Sequence, residues 1–362
     1  MIIRNAVPIE LVDAAREKLL AEQEKSSADS HVGGRRYQDE SLETSREFTD
    51  LVNKSDLGEV LRNTMGPYDS PTRGFAATVM PTDVDDPHAG KANRPVPGLH
   101  LDGLYGGPVP HNDGLRENGY IGPHSSSTLA NNRGVMFIDE EKTLAMGHFT
   151  AFVGVSLCDQ TEPGRGQFSV LPRAHHVTEK FFQAQRDAGG PVGPEGPGWP
   201  RISPFADKEK GWYMNLFPDP IREAFPQNAE RNADGRLVPE ARLVLLAPGD
   251  AVIALQHTPH SSTLNTSPLG PRWQIYFRLR HQKFNDAFIP PAEDETPLVT
   301  GRSDHPDRGW DGEYLPTKPG ATPWEDAIDA LCDCWSEWDG MAETVAMMRE
   351  EETAPVQQAS KL

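Results

Sequence analysis

Apolar residues recur at helical spacing in three parts of the chain, with charged or polar residues between them. Because an apolar stripe of this period marks a helix that packs on a core, we predict helices over residues 8–24, within residues 45–63 and over residues 323–351. In the last segment the stripe consists of Ile328, Leu331, Trp335 and Trp338.

From about residue 72 the pattern changes to short apolar runs rich in Val, Ile and Phe, separated by Gly, Pro, Asn and Asp. Short runs bounded by turn residues predict strands. Long helical segments do not alternate with them, so a doubly wound parallel sheet is disfavoured and a β-sandwich or barrel is favoured. The predicted strands cover residues 74–80, 134–138, 149–157, 166–171, 241–246, 251–255 and 273–279.

A segment rich in Gly and Pro at residues 189–198 cannot form a helix or a central strand. We interpret residues 177–242, where the predicted strands pause, as an insertion that folds over the barrel and as a candidate lid. One domain is predicted over residues 1–352, followed by a tail at 353–362. Its parts are N-terminal helices at 1–71, a β core at 72–281, and a C-terminal extension with a helix at 282–352.

The charge and cysteine content exclude several classes of function. Among 362 residues, Asp and Glu outnumber Lys and Arg by 54 to 35, a net charge of −19, which disfavours nucleic acid or an anionic membrane surface as a partner. Three cysteines cannot build a disulfide framework, which indicates a reducing compartment. No apolar run is long enough to cross a bilayer or to serve as a signal peptide, so a cytoplasmic location is expected.

The tripeptide His-x-Asp occurs at residues 100–102, 111–113 and 305–307. On an extended strand its two side chains point the same way, and together with a distant His they can bind one face of a ferrous ion. The second and third copies lie in turn-like sequences. His100-Leu-Asp102 lies in an extended context with apolar neighbours and is the best candidate.

A second group of polar residues follows the strand predicted at 251–255. His260, Ser262, Asn265 and Ser267 lead to Arg272 at the start of the next strand. This order resembles the phytanoyl-CoA dioxygenase family of iron(II)/2-oxoglutarate oxygenases.

Residues 159–175, which run from Asp159-Gln-Thr to Pro172-Arg-Ala-His175, are similar to that family's Asp-x-Thr…Pro-Gly-Ser-His segment, with Arg-Ala in place of Gly-Ser. The resemblance extends from about residue 1 to about residue 281, and the insertion at 177–242 lies outside it.

The resemblance implies that His100, Asp102 and His260 bind iron(II), that Arg272 pairs with the distal carboxylate of 2-oxoglutarate, and that Ser262 donates a hydrogen bond to the same carboxylate. A planar guanidinium suits a bidentate carboxylate partner. Arg272 lies twelve positions after His260 (272 − 260), one of the spacings that a hairpin of two strands can accommodate.

The implied fold is mainly β with flanking α-helices, around a double-stranded β-helix (jelly-roll, cupin-like) core. The implied enzyme is an iron(II)- and 2-oxoglutarate-dependent dioxygenase that uses O2 to oxidise, most simply to hydroxylate, an unactivated C–H bond of a small-molecule metabolite, with succinate and CO2 as co-products. Substrate contacts are predicted at Tyr105, Gln274 and Tyr276, since the last two share a polar row with Arg272 on one face of a strand.

Several alternatives remain at this point. His257, three residues before His260, could replace it as a ligand, although the following Asn265, Ser267 and Arg272 favour His260. Three other functions are also open. The protein could be a cupin-like metal hydrolase or isomerase, which would form no succinate, or a non-catalytic barrel that binds a small molecule, which would tolerate loss of Asp102. It could also be a peptide-modifying oxygenase, which would need an open groove.

Overall fold

The structure is a computed structural model. It describes residues 1–25, 31–32, 35–36, 40–81, 99, 135–137, 143–145, 150–188, 219–231, 237–256, 258–282 and 315–316.

The described helices are α1 (Ile9–Lys25), α2 (Glu40–Glu43), α3 (Arg46–Asn53), α4 (Asp56–Met65), α5 (Ala174–Asp187) and α6 (Asp219–Glu223). The described strands are β1 (Ile2–Ile3), β2 (His31–Val32), β3 (Arg35–Arg36), β4 (Phe75–Val79), β5 (Val135–Phe137), β6 (Thr143–Ala145), β7 (Ala151–Ser156), β8 (Phe168–Val170), β9 (Gln227–Arg231), β10 (Leu237–Pro239), β11 (Arg242–Leu243), β12 (Ala251–Leu255), β13 (His260–Ser262), β14 (Arg272–Leu279) and β15 (Leu315–Pro316).

Two antiparallel sheets form the sandwich that contains the site. The large sheet has the strand order β1-β12-β7-β14-β4-β3-β2, and the small sheet has the order β11-β8-β13. The chain passes from β12 in the large sheet to β13 in the small sheet and back to β14. This alternation between facing antiparallel sheets, with helices outside, confirms the predicted mainly β, jelly-roll fold. Two further described sheets have the orders β15-β6-β5 and β10-β9.

The two faces of the large sheet differ because side chains alternate along each strand. Its outer face presents Val153, Ile253 and Phe277 to apolar residues of α1, α3 and α4, which include Leu19 and Phe48. This packing explains the helical stripes of the N-terminal segment.

The inner face of the large sheet points toward the small sheet. Phe152, Val252 and Tyr276 pack there against Phe168 of the small sheet. Polar residues of β14 also lie on this face, since Arg272 and Gln274 are both completely buried. The polar row of β14 therefore points into the sandwich and not into solvent.

The N-terminal region differs from its prediction in two ways. The expected helix within residues 45–63 is two helices, because Ser55 has an extended backbone (φ −118°, ψ 168°) and precedes a new helix at Asp56. Residues 1–71 are also not purely helical, since β1 pairs with the edge of the large sheet, Ile2 opposite Val252.

The insertion also contains regular structure that the sequence pattern did not reveal. Helix α5 begins at Ala174, and β9 and β10 form an antiparallel pair within residues 227–239. The expectation that strands pause over 177–242 is therefore wrong for this pair, whose first strand, Gln-Asn-Ala-Glu-Arg, has almost no apolar residues to mark it. Of the strand predicted at 241–246, only Arg242–Leu243 has strand conformation, although Val244 N still donates to the backbone oxygen of Phe168.

The predicted helix at 323–351 lies outside the described residues. Within the described part of the chain, no helix combines the length and apolar character needed to cross a membrane.

Candidate functional site

Arg272 opens β14 and places a guanidinium inside the sandwich with none of its surface exposed. Its Nε donates to the backbone oxygen of Gly166 at 2.7 Å, and its Nη2 donates to Ser262 Oγ at 3.0 Å. Its Nη1 lies 3.4 Å from both Gln274 Oε1 and Tyr276 Oη. The hydrogen bonds from both sheets therefore fix the orientation of this side chain.

All of these partners are neutral. No Asp or Glu in the described part of the chain forms an ion pair with Arg272. A buried charge without a counterion is costly, and hydrogen bonds to neutral groups offset only part of that cost. An anionic ligand group would supply the missing charge.

His260 opens β13 in the small sheet and is 5% exposed. Its Nδ1 lies 2.9 Å from the backbone oxygen of Thr258. A carbonyl oxygen can only accept, so Nδ1 carries a proton, and in the neutral ring the lone pair is therefore on Nε2. This is the tautomer of a histidine that binds a metal through Nε2.

Aromatic rings surround this imidazole. Phe152 stacks on His260 with ring centroids 5.2 Å apart, and Phe168 lies at 5.1 Å in a tilted arrangement. Tyr276 in turn stacks on Phe152, with ring centroids 4.6 Å apart. These rings exclude water from one side of the histidine and hold its plane in place.

His260 and Arg272 are connected through Ser262. Residues two apart on a strand point to the same side and lie about 6–7 Å apart along it, so His260 and Ser262 face the same space. Ser262 accepts the hydrogen bond from Arg272 Nη2, which places a guanidinium next to the face that carries the imidazole. A short dicarboxylate could reach from one to the other.

Gly154 makes room for the polar row of β14. It lies opposite Tyr276 in the ladder, and a Cβ at this position would be 2.5 Å from Gln274 Nε2 and 2.7 Å from Tyr276 Cε1. Any larger residue would therefore displace one of these two side chains.

The connection between β13 and β14 is held by Asn265, which is completely buried. Its Nδ2 donates to the backbone oxygens of Val79 at 3.0 Å and Gly270 at 2.9 Å, and its Oδ1 accepts from Ser267 N at 3.2 Å. Asn265 therefore ties the loop to the end of β4 at Val79, and it also holds Gly270, which lies two residues before Arg272.

The segment that begins at Asp159 supports the same loop. Asp159 accepts from the backbone and hydroxyl of Thr161, and these hydrogen bonds hold the pKa of its carboxyl below the ordinary value. Arg165 then bridges the backbone oxygens of Asp159 and Gly270, at 3.1 and 3.0 Å. These contacts give the Asp-x-Thr segment a structural role beside the site.

Cys158 lies near the same end of β14 and contacts the backbone of Trp273. Burial raises the pKa of its thiol, so it stays protonated at neutral pH.

The structure brings together part of the predicted site. Near one another are His260, Ser262, Arg272, Gln274 and Tyr276, while His100, Asp102 and Tyr105 lie outside the described residues. Leu99, directly before the predicted ligand pair, is described and is 3% exposed. In the described residues alone, no group of three His, Cys, Asp or Glu side chains could hold a metal ion.

One geometric expectation was wrong. His260 and Arg272 do not lie on two strands of a hairpin, because β13 belongs to the small sheet and β14 to the large sheet. Ser262, two residues after His260 on β13, connects the two strands through its hydrogen bond with Arg272.

Sequence reasoning missed Phe152, Phe168 and the Gly166 backbone oxygen, whose neighbours become visible only when the sheets are packed. Gly154 did carry a signal, because a glycine in the middle of an apolar strand often marks a close approach.

No protein-family model matches the chain, and no curated protein matches it. Similar solved structures include the non-heme alpha ketoglutarate dependent carbocyclase SnoK from nogalamycin biosynthesis, at 14% sequence identity, with 78% of this chain and 79% of that chain covered and a TM-score of 0.38. Another is HygX from Streptomyces hygroscopicus with nickel, 2-oxoglutarate and hygromycin B bound, at 14% sequence identity, with 78% of this chain and 82% of that chain covered and a TM-score of 0.39. A third is the non-heme alpha ketoglutarate dependent epimerase SnoN from nogalamycin biosynthesis, at 13% sequence identity, with 83% of this chain and 88% of that chain covered and a TM-score of 0.36. At this level of similarity, a functional assignment rests on the residues of the site itself.

Proposed function

We propose that this protein is an iron(II)- and 2-oxoglutarate-dependent oxygenase of the phytanoyl-CoA dioxygenase type, which oxidises a C–H bond of a small molecule. The observation that carries the proposal is the fully buried Arg272, which hydrogen-bonds Ser262 beside the face of His260 and has no ion-pair partner among the described residues.

His260 would hold the metal through Nε2, together with His100 and Asp102, the ligand pair that the sequence motif predicts. Two imidazoles and one carboxylate suit iron(II) and leave other coordination positions open. Bound iron would supply the oxidation of the substrate by O2, coupled to conversion of 2-oxoglutarate to succinate and CO2. The simplest outcome for the substrate is hydroxylation.

The protein's own groups would bind and orient the cosubstrate. Arg272 neutralises the distal carboxylate, and the Ser262 hydroxyl donates its hydrogen to the same group while its oxygen accepts from Arg272. The Thr258 carbonyl keeps the proton of His260 on Nδ1, away from the metal. Phe152 and Phe168 keep water from the imidazole.

The substrate would approach from the part of the chain that includes Tyr105, and residues 177–242 would close over it as a lid. A small molecule fits this arrangement better than a macromolecule, because the site residues that the structure describes are buried between two sheets.

Anaerobic addition of iron(II) and 2-oxoglutarate tests the proposal. We expect a weak visible charge-transfer band in the wild-type protein, and succinate after O2 is admitted. Arg272→Ala should weaken 2-oxoglutarate binding while the iron content stays nearly unchanged, and Arg242→Ala, at an exposed position, should change neither.

The absence of a band in the wild-type protein at saturating ligand would refute the proposal, and so would a metal hydrolase activity without succinate. Equal loss of iron and 2-oxoglutarate binding in Arg272→Ala would make Arg272 a structural residue.

A further inference from the structure

Gln274 lies two residues after Arg272 on the inner face of β14 and has none of its surface exposed. Its Oε1 lies 3.4 Å from Arg272 Nη1. Because a guanidinium has donors and no acceptor, the amide atom that faces it must be the oxygen. The amide nitrogen therefore points away from Arg272, and within the described residues this nitrogen has no hydrogen-bond partner.

The neighbouring strand does not supply an acceptor for this nitrogen. Ser156 lies opposite Gln274 in the ladder, but its hydroxyl donates to the backbone oxygen of Cys158 and accepts from Gln160. Gly154, next on the same face, has no side chain, and the nitrogen occupies the space where its Cβ would be. The amide group is thus fixed on one side and unsatisfied on the other.

A buried NH2 group without an acceptor is unfavourable, and proteins usually leave such a group for water or for a ligand. Beside it, Arg272 lacks an anion among the described residues, and Ser262 can still donate its hydroxyl hydrogen. The Gln274 amide, the Arg272 guanidinium and the Ser262 hydroxyl thus all offer hydrogen-bond donors that a ligand with acceptor atoms could satisfy. A carboxylate has only acceptors and could serve all three.

We propose that Gln274 donates from Nε2 to the carboxylate that Arg272 neutralises, and so selects an acceptor-only anionic group at this end of the pocket over a carboxamide. The inference rests on the proposed function, in which that carboxylate is the distal group of 2-oxoglutarate. It assigns Gln274 to the cosubstrate and not to the substrate, for which the sequence pattern suggested it.

The test compares Gln274→Met and Gln274→Glu with the wild-type protein, each loaded with nickel(II). Methionine removes the donor at similar volume, so the Kd for 2-oxoglutarate should rise about 10- to 100-fold, as for other hydrogen bonds to charged groups. Glutamate should raise it further, because its carboxylate would pair with Arg272 and repel the ligand. Calorimetric titration measures both, and nickel stoichiometry should stay at the wild-type value.

The matched control is Gln256→Met. Gln256 is also buried, and neither of its amide atoms has a partner in the part of the chain that the structure describes. It follows the far end of β12, where Thr150 and not Ser156 is the residue across the ladder. Its Kd for 2-oxoglutarate should stay within about twofold of the wild-type value, since Gln256 is not among the described hydrogen-bond partners of Arg272.

The melting temperature of the ligand-free protein separates a ligand contact from a structural one. Gln274→Met should melt within a few degrees of the wild-type temperature, because it removes an unsatisfied donor together with one long, 3.4 Å hydrogen bond to Arg272. An unchanged Kd would overturn the inference, and so would a lower melting temperature with reduced nickel binding. Failure of the wild-type protein to bind 2-oxoglutarate would instead overturn the proposed function.

Discussion

At the scale of single residues, the central feature is a buried cation held by neutral partners. Arg272 makes hydrogen bonds to Ser262 of the small sheet and to Gln274 and Tyr276 of the large sheet, yet no carboxylate of the described chain pairs with it. Such a residue would lower the stability of the ligand-free protein and favour an anionic ligand, because the ligand would supply the counterion that the described residues do not.

Gly154→Ala tests whether the space beside this cation matters. The new Cβ would lie 2.5 Å from Gln274 Nε2 and 2.7 Å from Tyr276 Cε1, so it should displace them. We expect a loss of about 1–3 kcal/mol in the free energy of unfolding, together with weaker 2-oxoglutarate binding. Urea denaturation and calorimetric titration measure the two effects.

Gly74→Ala is the matched control. Its Cβ would overlap Phe277 at 2.7 Å and Ile275 at 2.8 Å, on the outer face of the same sheet. It should destabilise the protein to a similar extent but leave the Kd for 2-oxoglutarate unchanged. If both variants lose affinity equally, the effect of Gly154 is one of general stability.

Single residues could be predicted where a motif names them. The proximity of Ser262 to Arg272 follows the resemblance, and the inward direction of Gln274 and Tyr276 follows from strand alternation once one face is known to be buried. Phe152 could not be predicted as a neighbour of His260, because the contact joins two sheets whose packing is not encoded in local spacing.

At the scale of elements, the loop between β13 and β14 determines where β14 begins, and therefore where Arg272 lies. Asn265→Ala removes three hydrogen bonds, among them those to the backbone oxygens of Val79 and Gly270. We expect a loss of about 2–4 kcal/mol in the free energy of unfolding, and a higher Kd for 2-oxoglutarate. Urea denaturation of the ligand-free protein gives the first value.

Asn53→Ala provides the comparison, since Asn53 makes one exposed bond, to the Pro71 carbonyl at 3.0 Å. It should cost less than about 1 kcal/mol. Equal effects of the two variants would mean that the loop does not depend on Asn265.

Elements were predictable where the periodic pattern was long and apolar. Helix α1 and strands β7, β12 and β14 are found where the pattern placed them. The break at Ser55 was missed because apolar spacing continues across it, and the β9–β10 pair was missed because its first strand is polar. Tertiary pairing supplied the stability that these local sequences do not signal.

At the scale of the whole molecule, the fold separates stability from function. The outer face of the large sheet and helices α1, α3 and α4 share one apolar core, whereas the inner face carries both a smaller apolar cluster and the buried polar groups. The stability of the apolar core would thus offset the cost of the buried polar groups on the inner face.

A crystal structure of the protein with nickel(II) and 2-oxoglutarate would test the account most directly. We predict that the metal is bound by His260 Nε2, His100 and Asp102, and that the distal carboxylate accepts hydrogen bonds from Arg272, Ser262 and Gln274. A metal bound without His260, or an Arg272 that pairs with an Asp or Glu of the protein while 2-oxoglutarate lies elsewhere, would contradict it.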